Sequence, residues 1–386
     1  MKRTLTSALL ALPLVMAALG ANAALKPEPQ GGVQPLPYPY PEHWIIAHDA
    51  AFKHMLEGRM VILDPLAKTL QEQYKGMLTS SFIGHFQQSP KRGEMYIAET
   101  FHSRGTRGER TDVLTIWDSK KLTPIDEIVL PAKRASTMPE KHALQFIDNE
   151  RLLLVFNLTP ATSVTVVDID NRKVLNEVPI PGCSLIYPTG KRGFSSLCSN
   201  GSLYSVQLDA AGKIAGQRRG NVFFDTNKEP LFEKPASVDG ITYFPTFLGD
   251  MQPVDLRDSM PKIGKRWSLL SKTEREAGWR PGGWQLIGND TSGLVYLLMH
   301  PKGYDGSHKD GGPEIWVYDV AKQTRLRRIK LRNWGVSLAL SAGEEPLLIV
   351  TNGDMQLDVY RAHSGEFVRT LAAFGQETPF VVYPSR

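Results

Sequence analysis

Val164-Thr165-Val166-Val167-Asp168, then a polar turn, then Val174 and Val178-Pro179-Ile180, is the stretch whose reading decides the fold. A β-branched run ends in aspartate, the chain turns, and a second run starts on another branched residue. That is how a β-hairpin reads. The same phrase recurs on both sides. Met60-Val61-Ile62-Leu63-Asp64 leads to Leu70, and Val113-Leu114-Thr115-Ile116-Trp117-Asp118 leads to Leu122 and Ile128-Val129-Leu130. Leu203 to Asp209 leads to Ile214, and Met251-Gln252-Pro253-Val254-Asp255 leads to Trp267. Ile315-Trp316-Val317-Tyr318-Asp319 leads to Leu326, and Leu357-Asp358-Val359-Tyr360-Arg361 leads to Phe367 and Leu371.

The anchors at 64, 118, 168, 209, 255, 319 and 361 are 54, 50, 41, 46, 64 and 42 residues apart. A period of this size built from short strands means a radial array of sheets rather than a helical solenoid. Seven copies in phase favour a seven-bladed all-β propeller over residues 42–386 against a generic β-sandwich. The longest spacing has room for one helix at Thr273-Glu274-Arg275-Glu276-Ala277, with Thr273 as its N-cap. Residues 24–41 are rich in Pro and Gly and read as an extended N-terminal arm.

Met1-Lys2-Arg3 is a short basic start, Leu5 to Gly20 is apolar and small, and Ala21-Asn22-Ala23 has the small-x-small form of a cleavage site. This order is that of a secretory signal peptide over residues 1–23. Its removal leaves 363 residues and takes away Lys2 and Arg3, lowering the formal charge from +5 to +3. So mild and mixed a charge gives no basic patch for nucleic acid, and no later stretch is apolar enough to span a bilayer. Cys183 and Cys198 are the two cysteines of a chain read as exported to an oxidising compartment. A disulfide is the default there, closing a loop worth about 3 kcal/mol on the chain-entropy argument. A metal site or catalytic thiol is the alternative, but no Cys-x-x-Cys and no nearby His supports it.

The chain shows no catalytic engine of its own. Nucleotide-binding glycine loops, a Gly-x-Ser-x-Gly elbow and His-Glu-x-x-His are all missing from the sequence. His300, Asp305 and His308 share a Gly-rich loop, but loop histidines in polar surroundings are more often hydrogen-bonded than ligating, so no metal is expected. The basic run Arg325, Arg327, Arg328, Lys330 and Arg332 alternates with Leu326, Ile329 and Leu331 and reads as the solvated face of a strand. Trp117, Trp267, Trp279 and Trp316 read as packing residues.

Four segments go further than the repeat. They are Phe101-His102-Ser103-Arg104-Gly105-Thr106-Arg107-Gly108-Glu109-Arg110-Thr111-Asp112-Val113; Gly182-Cys183 with Leu197-Cys198-Ser199-Asn200-Gly201-Ser202-Leu203; Gly278-Trp279-Arg280-Pro281-Gly282-Gly283-Trp284-Gln285; and Met299-His300-Pro301-Lys302-Gly303 through Gly306-Ser307-His308-Lys309 to Glu314-Ile315-Trp316-Val317. Together they resemble the large (heavy, α) subunit of the tryptophan tryptophylquinone-dependent amine dehydrogenases, methylamine and aromatic (aralkylamine) amine dehydrogenase. The likeness runs over essentially the whole chain after residue 23, with the same segment order and cysteine spacing.

The resemblance implies a periplasmic heterotetramer of two seven-bladed large subunits and two small, disulfide-rich ones. The small subunit carries the quinone, made from two of its own tryptophans. A primary amine is oxidised to aldehyde and ammonia, and electrons pass to a blue copper protein such as azurin or amicyanin. It also implies a role for one residue here. A Phe of the large subunit borders the substrate channel, and Met77-Leu78-Thr79-Ser80-Ser81-Phe82-Ile83-Gly84-His85 matches that place, making Phe82 the candidate. The Phe82 and fourth segments look closer to the aromatic amine enzymes, the third to the methylamine enzymes. Arylalkylamines are the expected substrates because the Phe82 segment borders the channel, with methylamine the alternative. A non-catalytic periplasmic binding or scaffolding propeller is the competing reading.

Overall fold

The computed structural model describes residues 34–375 and 377–385, and from Pro35 onward the chain is one compact unit. The expected signal peptide and residues 24–33 of the arm lie outside the described residues. Leu36, Tyr38 and Tyr40 are inside them. The Leu36 N–H donates to Lys120 O, and the Tyr38 and Tyr40 hydroxyls donate to Pro90 O and Ser119 O.

The fold is an all-β propeller. Among the described residues the strands form six antiparallel sheets. Each of the first five runs outward through three or four strands, and the chain then returns to the inner strand of the next. The second sheet, for example, is His85–Ser89, Glu94–Arg104, Arg107–Asp118 and Pro124–Leu130. The ring is shut by the C-terminal strand Val381–Pro384, which pairs with Ile45–Ala50. The sixth sheet has eight strands because Thr324–Leu340 does not break. Its first half pairs with Gly312–Asp319 and its second half with Leu347–Asn352. Apolar residues on both faces of each sheet are buried against the next. Ile46, Met60, Phe86 and Ile97 join the first two sheets, and Tyr96, Leu114, Leu153 and Val167 the second and third.

The repeated aspartates have a local task. Asp118 Oδ1 accepts from the Lys120 and Lys121 N–H groups at 2.8 Å each, and Asp209 Oδ1 from Ala211 and Lys213 at 2.9 Å. Asp64, Asp168, Asp255 and Asp319 each accept from a backbone N–H two or three residues on. A side chain that closes its own turn in this way supplies the bond that a tight hairpin otherwise leaves unmade.

One local expectation is corrected and one is extended. The helix is Lys272–Glu276 and its N-cap is Ser271, whose hydroxyl meets the Glu274 N–H while the Glu274 carboxylate returns to the Ser271 N–H. A capping box needs its acid three residues after the cap; both Ser271 with Glu274 and Thr273 with Glu276 have that spacing, and the pair that closes is Ser271 with Glu274. The basic strand keeps its solvated face at Arg328, Lys330 and Arg332, with Ile329 and Leu331 buried between them, and its arginines also find partners. Arg325 pairs with Glu274 at 2.7 Å, and Arg328 with Glu314 at 2.6 Å. Both guanidinium groups also lie over the ring of the fully buried Trp316, at 4.3 and 4.6 Å from its centroid. Partial burial opposes ionisation of Glu274, but hydrogen bonds from Arg325 and Ser271 prevail and hold its carboxyl at about 2.

Candidate functional site

In an antiparallel blade, alternate connections fall at opposite ends. The aspartate turns lie at one end. At the other lie the longer loops and the turns between sheets, and all four motif segments reach it. The first is the hairpin of Glu94–Arg104 and Arg107–Asp118, folded at Gly105-Thr106. The second brings Cys183 and Cys198 into register on adjacent strands, where they are joined as a disulfide. The third enters the sixth sheet, and the fourth forms its loop at 301–311.

Phe82 stands at this end, between the outer strand of the first sheet and the inner strand of the second, with its ring half-buried. The ring meets Phe52 edge-on at 5.0 Å, Phe52 meets Phe380 at 5.9 Å, and Phe380 meets Trp284 at 6.1 Å. Four half-buried rings from four distant loops thus form one row. Trp284 ends it with its Nε1–H donated to Pro139 O at 2.9 Å and Lys234 over its face at 4.1 Å. Offset and edge-on ring pairs of this kind hold their geometry as well as bury area. The third segment therefore joins the row that contains Phe82. The reason for favouring arylalkylamines, that only the Phe82 segment borders the channel, loses its force.

Beside the row lies a cleft of about 620 Å³, lined by Cys183, Cys198, Leu231, Lys234, Trp284 and His308 among others. A second space, about 420 Å³, lies among inner strands and includes Phe86, His142, Ile287 and Tyr383.

Three histidines near this end are buried, and burial favours their neutral form. Burial lowers His48 and His142 to about 4. His85 is driven well below the ordinary histidine value by burial and then by the Arg134 charge. His300 is buried with Nε2 2.9 Å from Ser307 Oγ, while His308 turns its ring edge to Phe247 at 5.9 Å. Asp305 lines a cleft with His308. No group of three His, Cys, Asp or Glu among the described residues is arranged to hold a metal ion.

Arg134, with 1% of its surface exposed, was not singled out in the sequence, where it follows Lys133 with no sign of burial. The aromatic row was equally hidden, since its members are tens to hundreds of residues apart. Nothing in local pattern signals either.

Fold and site together define a β-propeller protein whose loop end presents a fixed aromatic surface beside a disulfide-edged cleft. The family model for methylamine dehydrogenase heavy chains matches residues 61–383, and the chain belongs to that family, the large subunits of amine dehydrogenases. It is 28% identical over 284 residues to the methylamine dehydrogenase heavy chain of Methylorubrum extorquens, covering 72% of this chain and 68% of the relative. To that of Paracoccus versutus it is 28% identical over 307 residues, covering 78% and 71%. Among solved structures, a dihydro-haem d1 dehydrogenase superposes with a TM-score of 0.53 at 17% identity, covering 91% of this chain and 77% of the other. At that identity the likeness speaks for the fold alone.

Proposed function

We propose that this chain is the large subunit of a periplasmic amine dehydrogenase that oxidises primary amines to aldehyde and ammonia, and that its loop end seats the small subunit and walls the substrate channel. The observation that carries this is the Phe82 row. It is a half-exposed apolar wall at the surface of one chain, and a wall needs a facing partner to become a channel. Exposed Met55, Leu56, Phe101, Val222, Tyr304 and Trp334, from loops and strand ends at the same end, support docking there, because exposed apolar groups near one another favour protein contact.

The residues in the row suit this division of labour. The rings of Phe82, Phe52 and Phe380 carry no proton to give or take, so they bind and exclude water and leave acid–base work to the facing subunit. Tryptophan tryptophylquinone, carried by that subunit, supplies the electron sink. This chain binds no cofactor in this reading, and electrons leave to an azurin- or amicyanin-like blue copper protein. The assembly is a heterotetramer of two large and two small subunits, formed after removal of residues 1–23, with 24–41 as an arm. The unbroken strand Thr324–Leu340 serves two blades, which makes the eight-stranded sheet a pair and the propeller seven-bladed.

Arylalkylamines such as phenylethylamine suit a wall of several rings, which offers faces and edges to an aromatic substituent. The names of the relatives favour methylamine as the second reading. Purification from the native source tests the proposal. The chain should bring with it a small cysteine-rich protein whose quinone absorbance bleaches on adding amine, more efficiently with phenylethylamine than with methylamine. A stable single chain that binds ligands without turnover would replace the proposal with a scaffolding propeller, and the reverse preference would assign methylamine.

A further inference from the structure

The turn that carries Phe82 rests on two buried ionisable side chains, Glu99, whose pKa burial raises, and Arg134. Glu99 is 2% exposed, and its Oε1 accepts the Ser81 N–H at 2.8 Å. From the other side the Arg134 guanidinium donates to Ile83 O, and its Nη1 donates to Ala135 O at 2.5 Å. Nη1 also lies 3.4 Å from His85 Nδ1, while His85 Nε2 lies 3.1 Å from Met138 O. A neutral His85 satisfies both contacts when its proton sits on Nε2, so that Nδ1 accepts from Arg134. Residues 81, 83 and 85 are each held, and the one large side chain between them that projects toward the aromatic row is Phe82.

Arg134 is itself fixed. Its N–H donates to Asp112 Oδ2 at 2.9 Å, and its carbonyl accepts from Arg110 Nη2 at 2.8 Å. Arg110 also forms two 2.8 Å hydrogen bonds to the Asp112 carboxylate. The Arg110 and Asp112 of the first motif segment therefore brace the loop from which Arg134 reaches under Phe82. Nor has the main chain room to shift. A Cβ on Gly58 would come within 2.8 Å of Phe82 O, and one on Gly84 within 2.6 Å of Ile97 Cγ2.

Charges this deep add little net stability, since desolvation offsets most of their attraction. What they do well is select one geometry, because any other leaves a buried charge or backbone group without a partner. Here both side chains direct hydrogen bonds to main-chain groups of the Phe82 turn.

We propose that Glu99 and Arg134 are positioning residues that clamp this turn, so that Phe82 is a fixed wall and amine selectivity depends on two side chains that never touch the amine. The proposal rests on the channel role of Phe82. Its test uses the assembled enzyme of both subunits. The ratio of kcat/KM for a bulky arylalkylamine to that for methylamine is measured in Arg134→Lys, Glu99→Gln and Phe82→Ala, and in Arg134→Lys combined with Phe82→Ala.

Arg134→Lys keeps the charge but loses the fork that reaches Ile83 O and His85 together. It should move the ratio in the same direction as Phe82→Ala, by about fivefold, and have almost no further effect once Phe82 is alanine. A residue that merely supports the fold would act equally in both backgrounds, and that additivity overturns the clamp. So does an unchanged ratio in Arg134→Lys when Phe82→Ala alone shifts it. A silent Phe82→Ala instead overturns the channel reading, and the selectivity role with it. Glu99→Gln gives an independent reading if the arginine variant fails to fold. Hydrogen exchange at the Ser81 amide should quicken with it, and an unchanged rate overturns the clamp.

Discussion

The two ends of the propeller are built by opposite means. At the aspartate-turn end, each hairpin is closed by a side chain a few residues away, and six of the seven anchors repeat the device. At the loop end almost nothing is local. Phe82, Phe52, Phe380 and Trp284 come from loops far apart in the chain, Arg134 reaches across to Ile83, and Trp284 is tied to Pro139. One end is a modular rim whose units can be altered singly. The other is a single interlocked surface, and function is proposed for the interlocked one. Buried histidines, buried ionisable side chains and the disulfide lie toward that end too, so challenges that separate the ends should strike it hardest.

The strongest is acid. His48 and His142 have folded values near 4 against about 6.5 when exposed. The unfolded chain therefore takes up protons that the folded chain refuses. The stability these groups contribute is complete above about pH 6.5 and is lost as the pH falls toward 4, by on the order of 3 kcal/mol for each. Thermal melts from pH 7 to 4 should fall steeply, and amide exchange should show the loop end opening before the aspartate turns. Simultaneous opening of both ends would remove the contrast.

Next comes the disulfide. Replacing Cys183 and Cys198 together with serine should cost about 3 kcal/mol in denaturant titration, and should loosen the cleft beside Trp284 more than any aspartate turn. Phe82→Ala follows. It should change the discrimination between small and bulky amines by about 1–3 kcal/mol, read from kcat/KM, while the melting temperature stays near that of the parent. The smallest effect belongs to the rim. Asp118→Ala removes two backbone hydrogen bonds in one turn and should cost about 1 kcal/mol, with amine selectivity unchanged. A selectivity change from Asp118→Ala would show that the ends are coupled.

The same contrast explains what could be read from the chain. The rim was legible because its physics is local: alternation, an aspartate, a turn, and a branched residue beyond. The solvated face of the basic strand was legible at Arg328, Lys330 and Arg332, but its partners were not, because Glu274, Glu314 and the Trp316 ring are brought against Arg325 and Arg328 only by folding. On the proposed seven-bladed reading, the long strand Thr324–Leu340 conceals a boundary between two copies, because Lys330 to Gly335 contains no proline and the backbone stays extended. At the loop end only the resemblance pointed to Phe82. Its ring neighbours and the buried Arg134 depend on contacts over as many as 328 residues of chain, such as that between Phe52 and Phe380, and no window of sequence carries them.

The seam at Ile45–Ala50 and Val381–Pro384 has a consequence for how the molecule is made. The first strand of the ring pairs at once with Glu57–Leu63 but must wait for nearly the whole chain to emerge before its second neighbour exists. Until then its edge offers unpaired N–H and C=O groups, which are a template for any extended strand nearby. Closure over such a sequence distance is slow compared with folding of a hairpin. The newborn subunit thus passes through a stage as an open arc, where a strand from a second copy competes for the place reserved for its own tail.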